Sequence, residues 1–375
     1  MNDDKQTAMA QATRLTRAGR LNEATALIQR TLGAGHQATT TPVPPAPAGR
    51  RWFVREEATN GSAAGGRVLE NLPRPDNLRA FEPHEGPSSL VSGSFLDASH
   101  TGADGERRYK LYLPSSYTGV PMPLVVMLHG GTQDAQDFAA GTRMNTQAER
   151  ESFLVAYPEQ SPAASQMKYW NWFQPTHQRR GAGEPALIAG ITRDILREYA
   201  VDADQVYVAG FSAGGAMAAV MAATYGDLYA AVGVHSGLPY AAAHDVPSAF
   251  SVMKQGPTRD AQLPGDAPPL IVFHGDRDQI VNQVNAGRLV RQWRSAAAGG
   301  VESEPSTVHH SQVQGGRSYT RLVYPKGADT SATEQWVIHG GGHAWSGGGP
   351  DGSYTDPLGP DASAEMTRFF RQSRT

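Results

Sequence analysis

The sequence predicts an α/β fold: a mostly parallel central sheet with helices on both faces, preceded by an N-terminal helical extension. Three observations carry this. Apolar runs of strand length, such as PLVVMLHGG (123–131) and PLIVFHGD (269–276), are continuous rather than alternating, which marks strands buried on both faces. Between them lie segments with helical spacing, and strands alternating with helices imply parallel pairing. Finally, the residues best suited to chemistry, Ser212, Asp276 or Asp278, and His343, each stand just after a predicted strand. In such sheets sites form beyond the carboxyl ends of the strands.

The chain has 375 residues, enough for one large domain with additional material. Three regions are expected: a helical extension (1–33), a linker and turn-rich segment (34–95), and a catalytic α/β domain (96–375). In the first, Leu15, Ala18, Leu21, Ala24, Ile28 and Leu32 share a helical stripe that Gly19 interrupts. It is read as a helical cover for the main domain, with a docking or oligomerising element as the other reading. The stretch GAGHQATTTPVPPAPAGRR has no periodicity and reads as an extended linker.

From residue 96 the strands are YKLYLP (109–114), PLVVMLHGG, SFLVAYPE (152–159), QVYVAGFS (205–212), YAAVGVHSG (229–237), PLIVFHGD, RLVYPKG (321–327) and EQWVIHG (334–340). The helices are ALIAGITRDILREY (186–199), AGGAMAAVMAAT (213–224), VNAGRLVRQWRSAAA (284–298) and DASAEMTRFFRQ (361–372).

Composition excludes several classes of function. A net charge of −3 offers no basic field for nucleic acid or an anionic membrane. No apolar run reaches the 18 residues of a transmembrane helix. The start, MNDDKQTAMAQATRLTRAGR, lacks the apolar stretch of a signal peptide, so a cytoplasmic location is expected. The chain has no cysteine, which removes thiol nucleophiles and disulfides. Its 12 histidines show neither H-x-H nor H-E-x-x-H spacing, so neither a metal site nor a cofactor is expected.

Gly210-Phe-Ser212-Ala-Gly214 fits G-x-S-x-G, the strand-to-helix turn that projects a serine hydroxyl. A serine needs a base to take its proton, and the base needs a third group to hold its tautomer. Downstream come an acid and His343 in the order Ser, Asp, His that belongs to the α/β-hydrolase fold. Asp278 is favoured as the acid because His274-Gly275-x-x-Asp278-x-x-Val281 resembles an arrangement of that fold. Asp276 is then a turn residue bonding nearby amides. The oxyanion needs preorganised N–H donors. These are expected at Ala213, just after the nucleophile, and at Gly131 or Thr132 in the His129-Gly-Gly turn. His129, His235, His274 and His339 end strands and are read as structural. Trp170 and Trp172 are read as either core or substrate groove, and Trp345 as pocket lining because it stands two residues after His343.

Taken together, VVMLHGGTQ, AGTRMN, LVAYPEQ, WNWF, GFSAGGAMA, HGDRDQIV, GHAWSGG, GSYTDPLGPDAS and MTRFF resemble the poly(3-hydroxybutyrate) depolymerase esterase family over about residues 105–372. The resemblance implies Ser212 as nucleophile, Asp278 as acid, His343 as base, and an oxyanion hole from the HGG turn and Ala213. It implies hydrolysis of short-chain polyhydroxyalkanoate esters, with acetyl or feruloyl esters of plant polysaccharides as the alternative. A non-catalytic scaffold that binds granules or a partner is a further alternative. Where family members often have HGCxQ and CWNWF, this chain has HGGTQ and YWNWF. Losing both cysteines together suits a protein with no bridge there and a reducing compartment.

Overall fold

Side chains in a strand point alternately to opposite faces, and this alternation sorts the core into two layers. The computed structural model describes residues 93–265, 267–295, 304–324 and 332–373. The helical extension at 1–33 and nearly all of the 34–95 segment lie outside the described residues, as do the last residues expected for the 284–298 helix and the 321–327 strand.

The sheet has the order β1-β2-β4-β3-β5-β6-β7-β10-β9-β8. Its strands are β1 (Ser94–Gly102), β2 (Gly105–Leu113), β3 (Met122–Leu128), β4 (Leu154–Pro158), β5 (Val201–Phe211), β6 (Ala231–His235), β7 (Leu270–Gly275), β8 (Thr307–Gln312), β9 (Ser318–Tyr324) and β10 (Thr333–Ile338). The run β4-β3-β5-β6-β7-β10 is parallel throughout. Antiparallel pairs extend it at both edges, β1 and β2 on one side and β9 and β8 on the other. The expected mostly parallel sheet is therefore present, with two hairpins added to its rims.

In β3, Leu124, Val126 and Leu128 enter one core layer, while Val125 and Met127 enter the other. In β5 the same division puts Val206 and Val208 opposite Tyr207, Ala209 and Phe211. The first layer is covered by α3 (Gly183–Glu198), α4 (Ala213–Thr224), α5 (Val246–Gln255) and α6 (Val284–Ser295). The second is covered by α1 (Ala135–Thr142), α2 (Met144–Glu151) and α7 (Ala362–Gln372). Helix α4 is buried almost throughout, and its run of alanine and glycine lets its backbone lie close to the sheet. A two-stranded element, β11 (Trp345–Ser346) with β12 (Thr355–Asp356), sits beyond the end of β10.

Helices α1, α2 and α5 and strands β1 and β8 add to the elements expected from sequence. Helix α5 carries its own start signal: Asp245 and Ser248 form a reciprocal capping box. No described helix is long and apolar enough to cross a membrane.

Candidate active site

The G-x-S-x-G turn is forced by space. A Cβ on Gly210 would lie 2.3 Å from the Gly214 carbonyl oxygen, and one on Gly214 would lie 2.0 Å from the Leu128 oxygen. Both obstructions are backbone, so only glycine lets α4 leave β5 this steeply. Between them Ser212 adopts φ 55° and ψ −119°, a conformation that costs a non-glycine residue of order 1–3 kcal/mol. The Ser212 amide holds the turn by donating to the His235 carbonyl at 2.9 Å.

The sheet order β5-β6-β7-β10 brings the loop after β7 and the loop after β10 to this turn. Ser212 Oγ lies 2.9 Å from His343 Nε2, and His343 Nδ1 lies 2.7 Å from Asp278 Oδ2. The other carboxylate oxygen, Oδ1, accepts the amides of Ile280 and Val281, each at 2.9 Å. Burial pushes the Asp278 carboxyl up, but hydrogen bonds from His274 and His343 and the pull of both rings outweigh it, so it stays ionised far below the usual carboxylate range. An acceptor-only carboxylate assigns the His343 proton to Nδ1 and leaves Nε2 free to accept from the serine hydroxyl.

The loops bearing Asp278 and His343 interlock through their backbones. Asp276 N donates to the Ile338 carbonyl at 3.1 Å and Arg277 N to that of Gly341 at 2.9 Å. A Cβ on Gly275 would lie 2.3 Å from the Gly341 oxygen. Asp276 is the turn residue: it accepts Gly340 N at 2.7 Å and meets His339 Nδ1 at 3.0 Å, away from His343.

Ala213 opens α4, where the first N–H groups lack intrahelical acceptors. Its amide and that of Gly131 have no protein acceptor among the described residues. Thr132 does not fit the expected role. Its amide donates to the Met167 carbonyl at 2.7 Å, so it is already used in holding the turn against the 160–170 loop.

The three tryptophans are core residues and line no groove. Trp170, Trp172 and Trp345 are 0, 5 and 1 % exposed. Trp170 donates to the His129 carbonyl at 3.0 Å, and Trp345 to Ser363 Oγ at 3.1 Å while stacking on His235. With the indole N–H groups of Trp170 and Trp345 satisfied inside, these rings gain more from burial than from a solvent-facing groove.

The strand-end histidines are structural in the expected way. His129 accepts Gln160 N at 3.0 Å, and His235 accepts Ser346 N at 2.9 Å. His274 bonds the Val281 carbonyl at 2.8 Å and also reaches within 3.5 Å of Asp278 Oδ2. That contact with the acid escaped the sequence reading, although the i, i+4 spacing from Asp278 was visible. Also missed were Tyr169 and Tyr354, which flank the 130–132 turn. Among the described residues no group of three histidine, aspartate or glutamate side chains could hold a metal ion.

A family model described as Esterase PHB depolymerase matches residues 107–302. Poly(3-hydroxyalkanoate) depolymerase C of Paucimonas lemoignei is 32 % identical over 240 residues, which is 60 % of this chain and 56 % of that protein. Probable acetylxylan esterase A of Aspergillus fumigatus is 28 % identical over 237 residues, 58 % of this chain and 63 % of that one. Both relatives are thus matched over less than two thirds of their length. Feruloyl esterase B of Thermothelomyces thermophilus is 30 % identical over 216 residues, 53 % of this chain and 73 % of the relative. Among solved structures, acetyl xylan esterase from Aspergillus awamori superposes with a TM-score of 0.58 at 21 % identity, covering 74 % of this chain and 99 % of that one. At that identity the likeness shows a shared α/β-hydrolase fold.

Proposed function

Because the chain belongs to the PHB depolymerase esterase family, we propose that it is a serine esterase hydrolysing carboxylic esters through an acyl-enzyme. Oligomers or polymers of short-chain hydroxyalkanoates are its leading substrates. The observation that carries this reading is the continuous hydrogen-bonded line from Ser212 through His343 to Asp278, at 2.9 and 2.7 Å, on a strained turn.

Ser212 Oγ attacks the ester carbonyl as its proton passes to His343 Nε2. Asp278 steadies the imidazolium that forms and holds the ring in place. The carbonyl oxygen becomes an oxyanion facing the amides of Ala213 and Gly131, donors fixed before the reaction begins. His343 then gives the proton to the departing alcohol oxygen as the C–O bond breaks, leaving Ser212 acylated. Water repeats the sequence: His343 takes its proton, the acyl group leaves as the carboxylic acid, and Ser212 recovers its hydroxyl.

Support for the substrate class comes from the depolymerase relative at 32 % identity. Acetyl and feruloyl esters form the second reading, favoured by relatives of those activities at 28–30 % identity. Turnover of hydroxybutyrate oligomers against feruloyl and acetyl esters separates the two.

Ser212→Ala is expected to cut p-nitrophenyl butyrate hydrolysis by at least about 10³-fold with unchanged circular dichroism, since removing the nucleophile leaves only binding and the oxyanion donors. Retained activity in that variant sinks the mechanism. Failure of the wild-type protein to label with a fluorophosphonate, together with binding to polyester granules, would instead indicate a non-catalytic scaffold.

A further inference from the structure

Two aromatic side chains face solvent at the turn that carries Gly131. Tyr169 is 42 % exposed and Tyr354 46 %. The Tyr169 ring lies directly on Gly131: a Cβ there would stand 2.0 Å from Cε1 and 2.3 Å from Cδ1. Tyr354 reaches the same turn from the other side, with its hydroxyl 3.3 Å from Thr132 Oγ1. Its ring lies 6.3 Å from that of Phe211, which is itself 4.9 Å from His343. Phe211 thus lies between Tyr354 and the base, and Tyr169 packs on the residue that carries the oxyanion donor.

Both loops are tied to residues 132–137. On one side Thr132 N donates to the Met167 carbonyl, and Lys168 pairs with Asp134 at 3.5 Å. On the other, Gln133 Nε2 donates to the Ser353 carbonyl at 3.2 Å, and Asp137 accepts Ser353 N at 2.8 Å. Tyr354 is held at φ 53°, a backbone conformation that few non-glycine residues adopt. Two exposed aromatics placed so rigidly contrast with Trp170 and Trp345, which the same segments bury.

We propose that Tyr169 and Tyr354 form a binding subsite that selects the neighbouring unit of a neutral oligoester. This rests on the esterase reading. The scissile carbonyl is fixed by the Gly131 and Ala213 amides, so the next repeat of a bound chain lies along the rim that these rings make. Phenol rings cover an apolar backbone, and their hydroxyls donate to a carbonyl oxygen. Lys168, next to Tyr169 in the chain, is paired with Asp134 at 3.5 Å, which leaves an ionised substituent little to bind there. The class selected is thus an uncharged hydroxy-acid oligoester with an acceptor carbonyl one repeat from the cleaved bond, preferred over a monoester of the same acyl group.

The test compares kcat/KM for a methyl-capped 3-hydroxybutyrate trimer with that for p-nitrophenyl acetate in the wild type and in Tyr169→Phe/Tyr354→Phe. Phenylalanine keeps both rings and removes only the hydroxyls. The trimer-to-acetate ratio is expected to fall about tenfold, the worth of two modest hydrogen bonds. Tyr354→Ala, which also removes a ring, should lower the ratio further. An unchanged ratio in both variants overturns the subsite while leaving the esterase reading intact, as does a wild type that cleaves the acetate and ignores the trimer. A wild type that cleaves neither overturns both.

Discussion

Asp278→Asn tests whether the carboxylate acts by fixing the tautomer of His343. In the native protein Oδ1 is held by two backbone amides, Ile280 N and Val281 N, and Oδ2 faces His343 Nδ1 at 2.7 Å. An asparagine keeps its carbonyl oxygen on those amides and turns its NH2 toward His343. The ring must then accept at Nδ1, which moves its own proton to Nε2, against Ser212. In that state the base cannot take the serine proton. Restoring the productive tautomer requires the side-chain amide to flip, which breaks two hydrogen bonds and opposes N–H to N–H. At about 1–3 kcal/mol for each buried donor left unsatisfied, the penalty is about 4 kcal/mol. With 1.36 kcal/mol per factor of ten, kcat/KM should fall by about three orders of magnitude. Hydrolysis of p-nitrophenyl butyrate at pH 8 measures it, with Asp276→Asn as the control. Asp276 bonds Gly340 and His339 rather than His343, so its variant should stay within a few-fold of wild type. An Asp278→Asn enzyme within tenfold of wild type, or an equal loss at Asp276, would refute the tautomer argument.

Gly214→Ala should prevent the elbow from closing, because its Cβ would sit 2.0 Å from the Leu128 oxygen. A loss of more than about 3 kcal/mol, beyond ordinary overpacking, is expected in urea unfolding, and a variant of native stability would contradict it. Gly287→Ala is the opposite case: an added Cβ meets nothing within 4 Å at this exposed position of α6, so a gain of about 0.4–1 kcal/mol is expected in the same assay. Burial lowers His129 to about 4, with Lys168 adding to the effect, and holds His235 well below the usual imidazole range. An unfolded histidine at about 6.5 binds protons that these two refuse, so stability is full above that pH and falls as pH drops from 6.5 toward 4. For His129 alone the loss is about 3 kcal/mol at 1.36 per pKa unit, and a melting temperature flat from pH 7 to 4.5 would rule it out.

The parallel strands were legible because their side chains are buried on both faces, so β3 and β7 are apolar without interruption. Their positions in turn made the site legible, since Ser212, Asp278 and His343 follow β5, β7 and β10. The rim strands β1 and β8 carry polar, largely exposed residues that give no apolar pattern. Helices α1 and α2 have eight residues each, too short for a period to stand out. Helix α5 could have been found from Asp245, Pro247 and Ser248 at its start and Gly256 after its end. The errors at the site have another origin. Nearness in sequence to His343 suggested Trp345 as pocket lining, but a strand-like step turns its ring inward onto His235. For Thr132, no local pattern revealed that a distant carbonyl, that of Met167, claims its amide. The residues at the mouth were the less apolar aromatics, Tyr169 beside Trp170 and Tyr354 in the GSYTDPLG stretch.

The contact between Gly275 and Gly341 divides the rim of the site into unequal parts for anyone redesigning it. The loops at 275–281 and 338–343 close on one another with almost no clearance, so inserting or deleting a residue in one demands a matching change in the other. Grafting a new preference there would dismantle the acid and base together. The segments at 160–170 and 350–358 each make separate contacts with the 130–137 turn. Substitutions confined to their exposed side chains, such as Tyr169 and Tyr354, leave buried Trp170 and the β11–β12 pairing in place and should change what enters without changing how it is cut.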